Sequence, residues 1–140
     1  MNAEGGAAPR FLDTNVLLYT LSEDVAKAQV AESLLAAGGI VSVQVLNEFA
    51  HVGLRKLGLG LSEVQELLAG IRHFCRVEPL TTDTHELGLA YCDRFGYSLY
   101  DCMVLAAATL AECSVVLTED MQADQQVSDT LTIRNPFASS

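Results

Sequence analysis

The sequence predicts an α/β domain with a mostly parallel, five-stranded sheet and helices on both faces. Three observations predict it. Short apolar or β-branched runs alternate with stretches of 3.6-residue apolar periodicity along the chain. Glycine pairs and capping residues fall between these stretches, where an alternating order needs its turns. The length, 140 residues, suits one domain with a core of its own. Strands that alternate with helices pair in parallel through crossover connections.

The elements follow in order. Phe11-Leu12-Asp13 is an apolar run ending in an acid, and reads as the first strand. From Val16 to Leu21 the pattern turns helical, and Val25, Ala28, Ala31, Leu34 and Leu35 continue a helix that Gly38-Gly39 stops. Ile40 to Val43 is a β-branched second strand. Val45, Leu46, Phe49, Val52 and Leu57 follow at helical spacing, with Gly58 and Gly60 behind them. Ser62-Glu63-Val64-Gln65 reads as a capping box that opens a helix running to about Cys75. Val77 to Leu80 is the third strand. Asp83-Thr84-His85-Glu86 caps a helix that Gly96 ends, and Ser98-Leu99-Tyr100-Asp101 caps an Ala-rich helix to about Cys113. Val115 to Leu117 is the fourth strand, Met121 to Asp129 a polar loop, and Leu131 to Ile133 the fifth strand. Residues 1–9 are expected as an N-terminal tail, 10–137 as the domain and 138–140 as a C-terminal tail.

Composition narrows the function classes. Eighteen acidic and eight basic residues give a formal net charge of −10. Nucleic-acid binders are usually basic, because Lys and Arg release counterions from phosphates, so charge alone argues against that class. The acidity then either provides solubility or marks carboxylates that cluster around divalent cations. Half the residues are hydrophobic and the mean hydropathy is +0.27, which excludes global disorder and hints at apolar surface kept for a partner. The four cysteines, Cys75, Cys92, Cys102 and Cys113, form no C-x-x-C pair and read as buried reduced thiols. No charged, then apolar, leader opens the chain and no apolar run is long enough to span a membrane, so a cytoplasmic protein is expected.

Four acids occupy suggestive places. Asp13 ends the first strand and Asp120 follows the fourth, which puts both at the carboxyl edge of the sheet, where α/β ligands bind. Glu48 lies in the first turns of the helix after the second strand, and Asp101 in the first turn of the Ala-rich helix. Singly, Asp13 reads as well as an N-cap, Asp101 as half of a capping box and Asp120 as a turn residue. Glu48, beside Leu46, Phe49 and Ala50, and Asp101, among Cys102, Met103 and Val104, sit in apolar company where an acid needs a positive partner. Converging carboxylates repel one another, and a bound Mg2+ or Mn2+ relieves that repulsion.

These residues carry a resemblance. Phe11-Leu12-Asp13-Thr14-Asn15-Val16-Leu17, then Asn47-Glu48-Phe49, then the stretch from Ser98 to Ala108, then Leu117-Thr118-Glu119-Asp120-Met121-Gln122 come in the order and spacing of a PIN domain. The stretch is similar to the VapC toxins within that family and spans about Arg10 to Phe137. The resemblance implies a five-stranded parallel sheet and a Mg2+- or Mn2+-dependent endoribonuclease, the toxin of a toxin–antitoxin pair. Asp13, Glu48, Asp101 and Asp120 match the family's acidic quartet, and Thr14 and Thr118 its supporting hydroxyls. It implies Asp13 and Asp101 as main metal ligands, Glu48 as ligand or proton acceptor, and Asp120 at a second, weaker metal. Ala123-Asp124-Gln125 replaces the family's His-Gly-Gln-like stretch, and Asp124 is then either a further ligand or, the preferred reading, a solvated loop residue.

Other chemistry fits less well. A haloacid-dehalogenase-type phosphatase needs a second acid two residues beyond the first, and that position is Asn15. His51, His73 and His85 are dispersed, and Cys102 has no indicated base. Arg55, Lys56, Arg72 and Arg76 are either a basic rim for an RNA backbone or ordinary solvated helix faces; Arg10 and Arg134 lie near strand ends. The resemblance also implies a cognate antitoxin whose tail lies between the early helices, roughly Val16–Leu35 and Val45–Ala69, and a homodimer. The competing class is a catalytically inactive PIN-fold module that binds RNA or protein.

Overall fold

The computed structural model describes residues 8–138, so the expected tails lie largely outside the described residues. Five strands form one sheet: β1 (Arg10–Leu12), β2 (Gly39–Ser42), β3 (Cys75–Glu78), β4 (Val115–Leu117) and β5 (Thr132–Arg134). Their order is β3-β2-β1-β4-β5, and every neighbouring pair is parallel. The order turns at the boundary of β1 and β4, where the connections leave in opposite directions and a crevice opens at the carboxyl ends.

Among the described residues six α-helices cover the sheet: α1 (Thr14–Leu18), α2 (Val25–Ala37), α3 (Val43–Arg55), α4 (Leu61–Phe74), α5 (Thr82–Phe95) and α6 (Leu99–Leu110). Right-handed crossovers place α1 to α4 on one face, because β1, β2 and β3 step in one direction. The step from β3 back across to β4 places α5 and α6 on the other. The expected helices on both faces are therefore present.

α6 is the centre of its layer. Every residue from Cys102 to Ala108 is buried, as expected of a helix apolar all round. Gly88 of α5 lets the two helices close up, since a β-carbon there would lie 2.6 Å from the Met103 Cε. Gly39 does the same for the sheet: its β-carbon would meet the Arg10 carbonyl oxygen at 2.7 Å.

The boundaries differ from expectation in places, each for a local reason. β3 begins at Cys75 rather than Val77, because Cys75 leaves the helical region directly after Phe74. α4 is capped at Gly60, whose N–H donates to the Glu63 carboxylate at 3.1 Å, rather than at Ser62. Thr81 caps α5 through its hydroxyl and the Thr84 N–H, ahead of the expected Asp83. The segment expected as one helix to Leu21 is α1 followed by a 3-10 turn, Tyr19–Leu21.

Candidate active site

Asp13 leaves β1 at the turn in strand order. It caps α1, its Oδ1 accepting the Thr14 backbone N–H at 2.7 Å, and only 5 % of it is exposed. Its own N–H donates to the Leu117 carbonyl at 3.1 Å, which continues the β1–β4 pairing and brings Thr118 opposite. The Thr118 hydroxyl donates to Asp13 Oδ2 at 2.9 Å. Burial pushes the Asp13 carboxyl up to about 7, against the pull of the Thr14 and Thr118 hydrogen bonds, and the carboxylates of Asp101 and Glu48 push it further up.

Glu48 reaches the site from the second turn of α3. Its Oε1 accepts the Thr14 hydroxyl at 3.0 Å, so Thr14 links two of the acids through its backbone and its side chain. Asp101 enters from α6, where Ser98 caps the helix by accepting the Asp101 N–H at 3.2 Å, as the sequence led one to expect. Its carboxyl is raised by burial and by the negative charges of Asp120 and Glu48. Gln44, near the start of α3, donates to the Tyr100 carbonyl at 3.0 Å and so fixes the start of α6 against α3.

Asp120 is the most exposed of the four acids. Its N–H donates to Thr118 Oγ1 at 3.1 Å. Asn15 holds it from the other side. The Asn15 amide nitrogen lies 2.9 Å from Thr118 Oγ1, 3.2 Å from Asp120 Oδ2 and 3.3 Å from Asp13 Oδ2, while its oxygen accepts the Glu119 N–H at 3.1 Å. Sequence reasoning placed Asn15 in the first motif of the resemblance and used it to argue against a phosphatase, but gave it no role in the site. Its place two residues beyond Asp13 was the available signal.

The other candidates divide. Lys56 lines the same cleft as Glu48. Arg76 does not join it: it pairs with Glu78 at 3.3 Å and lines a hollow with Arg10, Gly38 and Ser114 at the amino edge of the sheet. Arg55 and Arg72 are exposed near the ends of α3 and α4, so the four cations do not make one rim. Asp124 is exposed, with a left-handed φ of +66°, at the position where the resemblance has glycine. A short polar side chain tolerates that conformation better than most. The three histidines are exposed, and burial raises the Cys102 thiol to about 12, which removes it as a nucleophile.

A family model, PIN domain, matches residues 10–126. The chain belongs to the PIN domain family. No curated protein sequence is similar enough to match it. Solved structures share the PIN fold at low identity. The Mycobacterium tuberculosis toxin VapC20, a sarcin-ricin loop cleaving toxin, superposes with a TM-score of 0.62 at 23% identity, over 76% of this chain and 86% of its own. A toxin–antitoxin complex from Klebsiella pneumoniae gives 0.69 at 19% identity, over 91% and 98%. VapBC2 of Rickettsia felis, bound to a promoter DNA fragment, gives 0.63 at 16% identity, over 90% and 97%.

This PIN domain's acids suit a hard cation. Asp13 is a nearly buried carboxylate facing other carboxylates, and among the described residues no Lys or Arg forms an ion pair with Asp13, Glu48, Asp101 or Asp120. The donors are all oxygen, which favours Mg2+ or Mn2+ over softer metals. Among the described residues no three His, Cys, Asp or Glu side chains form a ready-made metal cage. Mg2+ needs none, since it binds through one or two carboxylates plus waters and substrate phosphate.

Proposed function

We propose that the chain is a divalent-metal-dependent endoribonuclease and the toxin of a toxin–antitoxin pair. The observation that carries the reading is Asp13. It is a buried carboxylate that pairs with no cation among the described residues, set against Asp101 and Glu48 at the turn in strand order.

In this reading Asp13 and Asp101 hold the ion, and Asp120 supports a second, weaker position. When bound, such an ion supplies Lewis acidity toward the phosphodiester and acidifies the attacking water. The chain's own groups do the rest. Thr14 occupies one oxygen of Glu48 and leaves the other for the ion or for the proton of the attacking water. Thr118 and Asn15 fix the Asp13 and Asp120 carboxylates, so that little reorganisation is needed when the substrate phosphate arrives.

An apolar groove between α2 and α4, lined by Leu21, Leu35, Phe49, Leu67, Ile71 and Phe74, supports an antitoxin partner. Among the described residues no helix is long and apolar enough to cross a membrane, which is compatible with the cytoplasmic site of action such a pair requires.

The test is cleavage of a mixed RNA pool by purified protein with Mg2+, Mn2+ or EDTA, beside Asp101→Asn. Cleavage that needs metal and is lost in the variant is expected. A partner-free wild type that cuts nothing with either ion overturns the enzyme reading.

A further inference from the structure

We infer that the cleft between α3 and the start of α6 is a subsite for an unpaired nucleotide of the substrate, with Tyr100 as its stacking platform and Lys56 as its phosphate contact. The inference rests on the ribonuclease reading and adds which part of the substrate is gripped and by what.

The cleft has a volume of about 670 Å3 and is lined by Gln44, Asn47, Glu48, His51, Val52, Lys56, Leu80 and Tyr100. Five of the eight fall on one side of α3, because 44, 47, 48, 51 and 52 recur at helical spacing, and Lys56 is the residue that caps its C-terminal end. That face is the floor. Leu80, from the connection before α5, and Tyr100, from the first turn of α6, are the opposite wall. The cleft is continuous with the acids, since Glu48 belongs to both and Tyr100 precedes Asp101.

The lining has the chemistry of a base and a phosphate. Tyr100 is 65 % exposed and Leu80 47 %, so that wall of the cleft presents an aromatic ring and a leucine to a ligand. Aromatic rings stack on any base, and on unpaired bases most readily. The Tyr100 backbone is pinned by Gln44, so the ring is carried on a fixed stem. Asn47 and His51 offer hydrogen-bonding groups to a base edge from the floor.

Among the described residues Lys56 is the only Lys or Arg in the lining. It caps the C-terminal end of α3, eight residues beyond Glu48 and about 12 Å along the axis at the usual rise. A cation at that distance holds a phosphate next to the one being cut, and not the scissile one. The arrangement also accounts for how a chain of net charge −10 tolerates RNA. One cation and one stacked base grip the strand beside the acids. A duplex cannot use this grip, because its bases are already stacked on one another.

The test is equilibrium binding of a labelled, unpaired oligoribonucleotide to the full chain in EDTA, where hydrolysis is stopped. Wild type, Tyr100→Ala, Tyr100→Phe and Lys56→Gln are compared, with an RNA duplex as control. Tyr100→Ala is expected to weaken binding of the unpaired strand about tenfold, and Tyr100→Phe to keep it, since stacking uses the ring. Lys56→Gln is expected to weaken it and to lower the slope of log affinity against log salt by about 0.7. Both positions are exposed, and circular dichroism checks that the variants stay folded. Wild-type binding equal for strand and duplex, no binding of the strand, or variants that bind as wild type each overturn the subsite. So does a Tyr100→Ala variant that alters only self-association or antitoxin binding. Binding that depends on Tyr100 and Lys56 without any metal-dependent cleavage removes the ribonuclease reading and leaves the subsite. Cleavage with binding indifferent to both residues does the reverse.

Discussion

The Thr118 hydroxyl donates to Asp13 Oδ2 at 2.9 Å and ties the end of β4 to the end of β1 where the strand order turns. Thr118 is fully buried, and its one oxygen also accepts from Asn15 and from the Asp120 N–H. A single hydroxyl therefore sets the spacing of Asp13, Asn15 and Asp120. It also supplies part of the stabilisation that keeps the Asp13 carboxyl from rising further.

Thr118→Val keeps the shape and removes the hydroxyl. Asp13, Asn15 and Asp120 each lose a partner, and a loss of about 1–3 kcal/mol of stability is expected. The acid limb of metal-dependent RNA cleavage should move to higher pH, because the charged form of Asp13 has lost a donor. Thr118→Ser should restore both. Urea unfolding and a pH–rate profile measure the two effects, and an unmoved profile in Thr118→Val would remove Thr118 from the site.

Asn15→Asp replaces a donor with an acid between two carboxylates, Asp13 Oδ2 at 3.3 Å and Asp120 Oδ2 at 3.2 Å. Metal-free stability should fall by roughly 1–3 kcal/mol, since favourable contacts become repulsive. Added Mn2+ should recover more of the melting temperature in the variant than in the wild type, because the ion relieves the added repulsion. Thermal melts with and without Mn2+ decide it. A variant as stable as wild type without metal would show that Asn15 does not bridge the acids.

Cys102 adjoins Asp101 but has no chemistry to contribute. Its thiol is held near 12, chiefly by burial, and its sulfur lies 3.7 Å from the Tyr97 carbonyl oxygen. Cys102→Ala should cost about 1 kcal/mol of packing stability and leave the metal-dependent rate within a factor of two. A loss of rate without loss of structure would reinstate the thiol.

Much of this was legible in the chain because the strongest signals are local. Asp13 and Asp120 follow apolar runs and therefore fall at the carboxyl edge, and Ser98 announces the cap that carries Asp101. The amino-edge position of Arg76 was equally readable, since it precedes the expected strand at Val77, yet it was grouped with Lys56 by charge alone. What stayed hidden depends on contacts between distant segments. The Asn15 bridge spans more than a hundred residues to Thr118 and Asp120, and the Gln44–Tyr100 bond joins helices whose relative placement no periodicity records. Element ends slipped where a residue suits both neighbouring elements, as Cys75 does between α4 and β3.

The raised carboxyl of Asp13 makes stability depend on pH and on metal. Its folded-state value of about 7 lies above the ordinary 3.8, so the folded chain holds a proton that the unfolded chain releases. The contribution is fully present below about pH 3.8 and is lost as pH rises through about 7. The difference corresponds to roughly 4 kcal/mol between the ends of that window. Metal-free wild type should therefore lose stability from this group between pH 4 and 8, while Asp13→Asn, with no charge to bury, should show a flatter profile and be the more stable of the two at pH 8. Saturating Mn2+ at pH 8 should raise the wild-type melting temperature and leave Asp13→Asn nearly unchanged, because the ion takes the place of the proton. Urea midpoints across that range, with EDTA and with Mn2+, test both halves. Parallel profiles for the two proteins in EDTA would mean that Asp13 is charged and solvated at neutral pH, and that the crevice needs no cation.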